Sequence, residues 1–168
     1  MKSLTKKPLI GLLLLLLLTI ASLGESYNKK GYKMIEQNST IEPFKLNDQF
    51  GEEHNISTMP TFIICSFGRE SGTLISTYFN TQDESYLEKN NIILLADVSG
   101  VPSLLRKTII LPKMKKNSFK ILTITDKEFA NQFPKEEDRL TILKLDNGKV
   151  QTISFAKDEV ELKKAIEN

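Results

Sequence analysis

Few side chains in this sequence could do chemistry. There is one cysteine, Cys65, and one histidine, His54, among the 168 residues. One histidine and one cysteine cannot build a His/Cys metal cluster, so no metal site is expected. A lone cysteine cannot close an internal disulfide either. Ser-His-Asp catalysis would have to use His54, which sits in a polar turn beside Asn55. The stretch Thr61-Phe-Ile-Ile-Cys-Ser-Phe-Gly-Arg-Glu-Ser-Gly72 carries the remaining interest. Its apolar run ends in a polar, glycine-bounded loop, and a second apolar run ends at Asp97-Val-Ser-Gly100. If the two runs are neighbouring parallel strands, their carboxyl ends gather Arg69, Glu70, Ser71, Asp97 and Ser99, where ligands of open α/β sheets bind. Arg69 and the free amides of the following helix could then hold an anion. The alternative is that Glu70 or Asp97 pairs with Arg69 and leaves nothing to bind. No nucleophile–base constellation is visible, and no catalytic residue is assigned.

These residues need strands and helices to place them. Phe44 and Leu46 alternate with polar neighbours, and the turn chemistry of Asn47 to Glu53 follows, predicting a strand, a turn and a short second strand. Thr61 to Phe67 is apolar on both faces, as in a central strand covered on both sides. Phe62, Ile64 and Ser66 point one way, and Ile63, Cys65 and Phe67 the other. Leu74, Ile75, Tyr78 and Phe79 recur at helical spacing after the 68–72 loop. A second helical piece is predicted from Asp83, as cap, to Lys89. Asn91 to Gly100 reads as a second buried strand, and Pro102 as the first residue of a helix that Pro112 stops. A third strand is expected within Phe119 to Asp126, and Asp126 caps a short helix through Phe129. Two alternating strands flank Asp146-Asn147-Gly148, a hairpin signal. Asp158 opens a final helix with Val160, Leu162, Ala165 and Ile166 as its apolar contacts.

Alternating units followed by a hairpin and helix predict an α/β sandwich, with a central mixed sheet and helices on both faces. On the strand Thr61–Phe67, the loop and helix after it, the strand Asn91–Gly100 and the closing hairpin and helix, residues 43–168 resemble the thioredoxin-like superfamily. The pattern is also loosely similar to the exported, YtfJ-type members. The resemblance implies a cysteine pair at the turn after Phe67 and a cis-proline before the first hairpin strand. This chain has no thiol in that turn, and Asp138-Arg139 stands where the proline would be. Dithiol exchange is therefore not expected, and Cys65, mid-strand among apolar residues, reads as a core residue.

The compartment is read from the first residues. Lys2, Lys6 and Lys7 precede an apolar stretch from Leu9 to Ala21, and Ser22 and Gly24 offer a cleavage point before Glu25. That is the grammar of a signal peptide over 1–24, followed by a flexible arm over 25–42 and the main domain over 43–168. Export to the periplasm is expected. An inner-membrane anchor made of the uncleaved segment is the alternative, although the apolar core is short against the roughly 20 residues a spanning helix needs. Removing three of the 23 basic residues leaves 20 against 21 acidic ones, so neither nucleic acid nor an anionic membrane surface is an expected partner. Lys113, Lys115 and Lys116 read as a solvated turn, and Glu136, Glu137 and Asp138 as a solvated loop. Asn38-Ser39-Thr40 and Asn55-Ile56-Ser57 are sequons, with Glu36 and Glu53 two positions earlier. That matches the extended sequon of bacteria with periplasmic N-glycosylation, so Asn38 and Asn55 are possible acceptors. The expected function is a periplasmic binding or accessory module without dithiol redox activity, working on a protein partner and needing no cofactor. The alternative is an oxidoreductase-related protein whose chemistry comes from a cofactor or partner.

Overall fold

The computed structural model describes residues 33–167; the expected signal peptide and the first part of the arm lie outside them. The strands are β1 (Phe44–Asp48), β2 (Glu53–Ile56), β3 (Phe62–Ser66), β4 (Ile92–Asp97), β5 (Leu122–Ile124), β6 (Leu140–Asp146) and β7 (Lys149–Ala156). They form one sheet in the order β2-β1-β5-β4-β3-β6-β7. β4 runs parallel to β3 and β5, while the β1–β2 and β6–β7 hairpins extend the two sides in antiparallel fashion. The apolar runs β3 and β4 therefore fall in the interior of the sheet, where both faces of a strand are covered. The β6–β7 turn has Asn147 at φ 48° and Gly148 at φ 81°. Both central residues are left-handed, as the twist-matched two-residue hairpin requires.

Alternation along β3 divides the core into two layers. Phe62 and Ile64 pack under α1 (Arg69–Phe79) and the C-terminal helix, with Ile75, Phe79, Leu94 and Leu162. Ile63 and Cys65 face the other way, toward Leu95, Ile124, Phe129 and Leu143. Tyr78 and Phe79 stack edge-on at 5.0 Å between ring centres, a favourable aromatic geometry inside the first layer. The remaining helices are α2 (Tyr86–Lys89), α3 (Ser103–Leu105), a π-helical turn (Arg106–Ile110), α4 (Leu111–Met114), α5 (Lys127–Ala130) and α6 (Glu159–Glu167). The Asp126 carboxylate accepts from Glu128 N at 2.8 Å, and Asp158 from Glu161 N at 2.9 Å, so two expected caps close their helices.

Several expectations are corrected. The flexible arm does not extend to residue 42. Ile35 and Ile41 are buried in the second core layer, and Ile35 N, Asn38 N and Ile41 N donate to Gln132, Val150 and Gly148 carbonyls at 2.7 to 2.9 Å. Two isoleucines separated by the five polar residues Glu36 to Thr40 are too sparse a pattern to mark a helix or a strand, which is why the segment reads as loose. The 68–72 segment is not a loop, because Arg69 begins α1 directly behind Gly68. Asp83 does not cap a helix; its Oδ1 accepts from Ser85 N, forming a local turn ahead of α2. Pro102 stands one residue before α3. Pro112 does not stop the helix. Leu111 N reaches back to Arg106 O, a five-residue closure that widens the turn ahead of the proline ring and lets the helix run on to Met114. Val160 is 77% exposed and takes no part in the core.

Candidate functional site

The parallel pairing of Cys65 with Leu95 and Ser66 with Ala96 brings the ends of β3 and β4 side by side. Above them, between α1 and the 103–114 helix, lies a cavity of 640 Å³, within the size range of small-molecule sites. Ala96, Val98 and Ile121 line it from the strand ends, Ile75 from α1, and Ile109, Ile110 and Met114 from the outer helix. Its hydroxyl groups are committed to the main chain. Ser66 Oγ donates to Leu95 O at 3.4 Å, Thr73 Oγ1 to Arg69 O at 2.8 Å and Ser76 Oγ to Gly72 O at 3.2 Å. The lining is thus largely apolar with a few charged side chains, and its hydroxyl protons are bonded to main-chain carbonyls.

The structure brings together some of the expected residues and separates others. Arg69 and Asp97 both line the cavity. They are not paired: the Asp97 carboxylate takes Lys135 Nζ at 3.4 Å and Ser99 N at 2.9 Å. Among the described residues Arg69 makes no ion pair. Ser71 is buried and turns inward, its Oγ accepting from Phe67 N and Gly68 N, each at 3.2 Å, and donating to Gly68 O. It positions the strand-to-helix turn and does not face a ligand. Glu70 is exposed and outside the lining, and Ser99 contributes only the amide that holds Asp97. Lys113 lines the cavity too. It was missed because a helix stopped at Pro112 leaves Lys113 in a tail, although the apolar spacing of Ile109, Ile110 and Met114 runs past the proline.

No family model matches the sequence, and no curated protein matches it either. Solved structures do. Peroxidoxin BcpB from Mycobacterium tuberculosis aligns over 79% of this chain and 95% of its own, at TM-score 0.53 and 16% identity. The thiol:disulfide interchange protein assigned as DsbE from Chlorobium tepidum aligns over 79% of this chain and 99% of its own, at 0.51 and 11%. A protein from Bacteroides thetaiotaomicron assigned as a protein disulfide isomerase aligns over 79% and 87%, at 0.52 and 12%. The fold is thioredoxin-like. In a thioredoxin-like chain the turn between β3 and α1 is the address of the paired thiols, and here that turn is Phe67-Gly68-Arg69-Glu70. The chain's one thiol lies upstream, within β3, at 0% exposure. Burial pushes the Cys65 thiol well up from its usual range, and the Asp97 carboxylate adds to the effect. A neutral, enclosed thiol is neither a nucleophile nor a metal ligand.

The other polar clusters are explained by the fold. Asp48 is buried at the end of β1, with Oδ1 accepting from Phe50 N at 2.8 Å and Glu52 N at 3.0 Å, and Oδ2 lying 2.9 Å from His54 Nε2. Glu52 joins these two within 4.8 Å, a spacing a cation could bridge. The Asp48 oxygens are already occupied by protein donors, however, and Lys120 Nζ stands 3.9 Å away. These contacts make the cluster a clamp on the β1–β2 turn. Glu136 is tied to Arg139 at 3.3 Å, and Lys115 lies over the Phe50 ring at 5.7 Å. Asn38 is exposed in a tight turn at φ 70°, and Asn55 is exposed on β2 at the sheet edge.

Proposed function

We propose that the protein is a thioredoxin-like binding module that works in the periplasm and carries out no dithiol exchange of its own. One observation carries the reading: thiol and opening are separated. Cys65 is sealed in the sheet at 0% exposure, while the cavity at the strand ends is lined without a thiol and with its hydroxyls bonded to main-chain carbonyls. A protein partner is supported by the 103–114 helix. It buries no side chain and presents Leu104, Leu105 and Ile109 at 70%, 46% and 57% exposure. Single exposed leucines are ordinary, but three such residues on one short helix make an interaction patch. The exported location rests on the first 24 residues of the sequence; among the described residues no helix is long and apolar enough to cross a membrane. In a host with periplasmic N-glycosylation, Asn38 is the acceptor best presented, and the intact mass of the native protein tests it.

The second reading, an oxidoreductase-related accessory served by a cofactor or partner, is favoured by the concave cavity where 68–72 and 97–100 meet. Insulin-disulfide reduction and peroxide reduction by the full chain and by Cys65→Ser separate the two. No turnover in either protein is the expected result. Turnover that disappears in Cys65→Ser overturns the proposal. Fractionation with N-terminal sequencing places the protein: a start at Glu25 in the periplasmic fraction is expected, and an intact N-terminus in the inner membrane moves it to the anchored alternative.

A further inference from the structure

We propose that the cavity between α1 and the 103–114 helix binds a single-chain amphiphile with a carboxylate head, of the fatty-acid class. This deepens the binding-module reading and rests on it. Ala96 and Ile121 at the strand ends, Ile75 on α1 and the outer wall formed by Ile109, Ile110 and Met114 give a cavity of 640 Å³ a largely apolar lining. A sugar or nucleotide would set many polar groups against walls that are mostly apolar, where the lining hydroxyls have given their protons to carbonyls and keep only acceptor sites, and burying unpaired polar groups is costly. An alkyl chain has no such groups.

The head group follows from charge. Three charged cations and anions matter at this site: Asp97, Arg69 and Lys113. The Asp97 charge is taken by Lys135 at 3.4 Å. Arg69 and Lys113 are exposed and make no ion pair among the described residues, so the cavity is left with two uncompensated cations. Gly68, the residue before α1, has no side chain to cap the helix, so the positive end of α1 adds to the same field. A guanidinium and an ammonium at the rim of an apolar cavity complement a carboxylate joined to a hydrocarbon chain.

The test is calorimetric titration of the full chain with octanoate, decanoate and dodecanoate, and with dodecanol as the uncharged control. One-to-one binding is expected, tightening up to about fourfold for each added methylene. Arg69→Gln with Lys113→Gln, both at exposed positions, should weaken dodecanoate about tenfold and leave dodecanol unchanged. Gly72 lines the cavity on α1, and a Cβ there meets nothing nearer than Ser66 Oγ at 4.0 Å. Gly72→Leu should therefore project a side chain into the cavity and weaken binding, with the Tm read alongside to show that the fold is kept. Absence of chain-length-dependent binding, or a Gly72→Leu protein that binds like the parent, overturns the proposal. Dodecanol binding as tightly as dodecanoate overturns the charged head. These failures leave the redox-inactive reading standing, because its own test reads Cys65.

Discussion

Lys135 Nζ reaches the Asp97 carboxylate at 3.4 Å and stands 4.5 Å from the centre of the Phe67 ring. One side chain from the segment before β6 thus clamps the ends of both β3 and β4. The contact bears on the charge of the cavity, because it places a cation against Asp97, the carboxylate in the lining. Replacing Lys135 by Met removes an ion pair and a cation–π contact at a partly exposed site. The expected loss is small, about 1 kcal/mol in urea denaturation. The larger consequence is electrostatic: with Asp97 released, anionic ligands should bind less well in the cavity. Equal affinity in Lys135→Met and the parent would contradict this account.

Cys65 should behave as a core residue in solution. Iodoacetamide at pH 8 should leave the native thiol unmodified and label it in urea, with labelling tracking the unfolding transition. Cys65→Ser places a hydroxyl among Ile63, Leu95 and Leu143 in the second core layer and should cost about 2 kcal/mol. Fast labelling of the native protein would mean the thiol is reachable.

Asp48 makes the fold sensitive to acid. Burial raises its pKa, but the hydrogen bonds from His54, Glu52 N and Phe50 N outweigh burial and hold the carboxyl below its ordinary value. A lowered folded pKa stabilises the protein above the unfolded value of about 3.9, and that stabilisation is lost as pH falls through the folded pKa. Urea denaturation from neutral pH down to below pH 3 should show this loss. Asp48→Asn, at a cost of about 2 kcal/mol at neutral pH, should flatten the acid limb. An unchanged acid limb would assign the effect to other carboxylates.

The segment ahead of β1 should contribute to stability out of proportion to its irregular look. Ile35 and Ile41 are 5% and 8% exposed, so replacing either by Ala should cost about 2 to 4 kcal/mol in urea denaturation. A truly flexible arm would tolerate both changes with no shift in midpoint.

Local chemistry accounts for what was legible before the structure. The two-faced apolarity of Thr61–Phe67 and Asn91–Gly100 marks interior parallel strands, Asn147-Gly148 marks a left-handed turn, and Asp126 and Asp158 mark helix starts; each signal sits within a few residues of what it specifies. The missing cysteine pair was legible in the same way, since no fold can supply a thiol that the chain lacks. What depended on distant partners was not. The pairing of Asp97 with Lys135 spans 38 residues, and the burial of Ile35 depends on a carbonyl at Gln132. The helix running through Pro112 to Lys113 required a widened turn that no residue type announces. The sequence by itself therefore determined which runs are apolar on both faces, the caps at Asp126 and Asp158 and the lack of a cysteine pair, because these follow from residue type and spacing. Only the tertiary structure decided which charges at the strand ends cancel and that a cavity opens above them, because cancellation and enclosure are set by distances between elements remote in the chain.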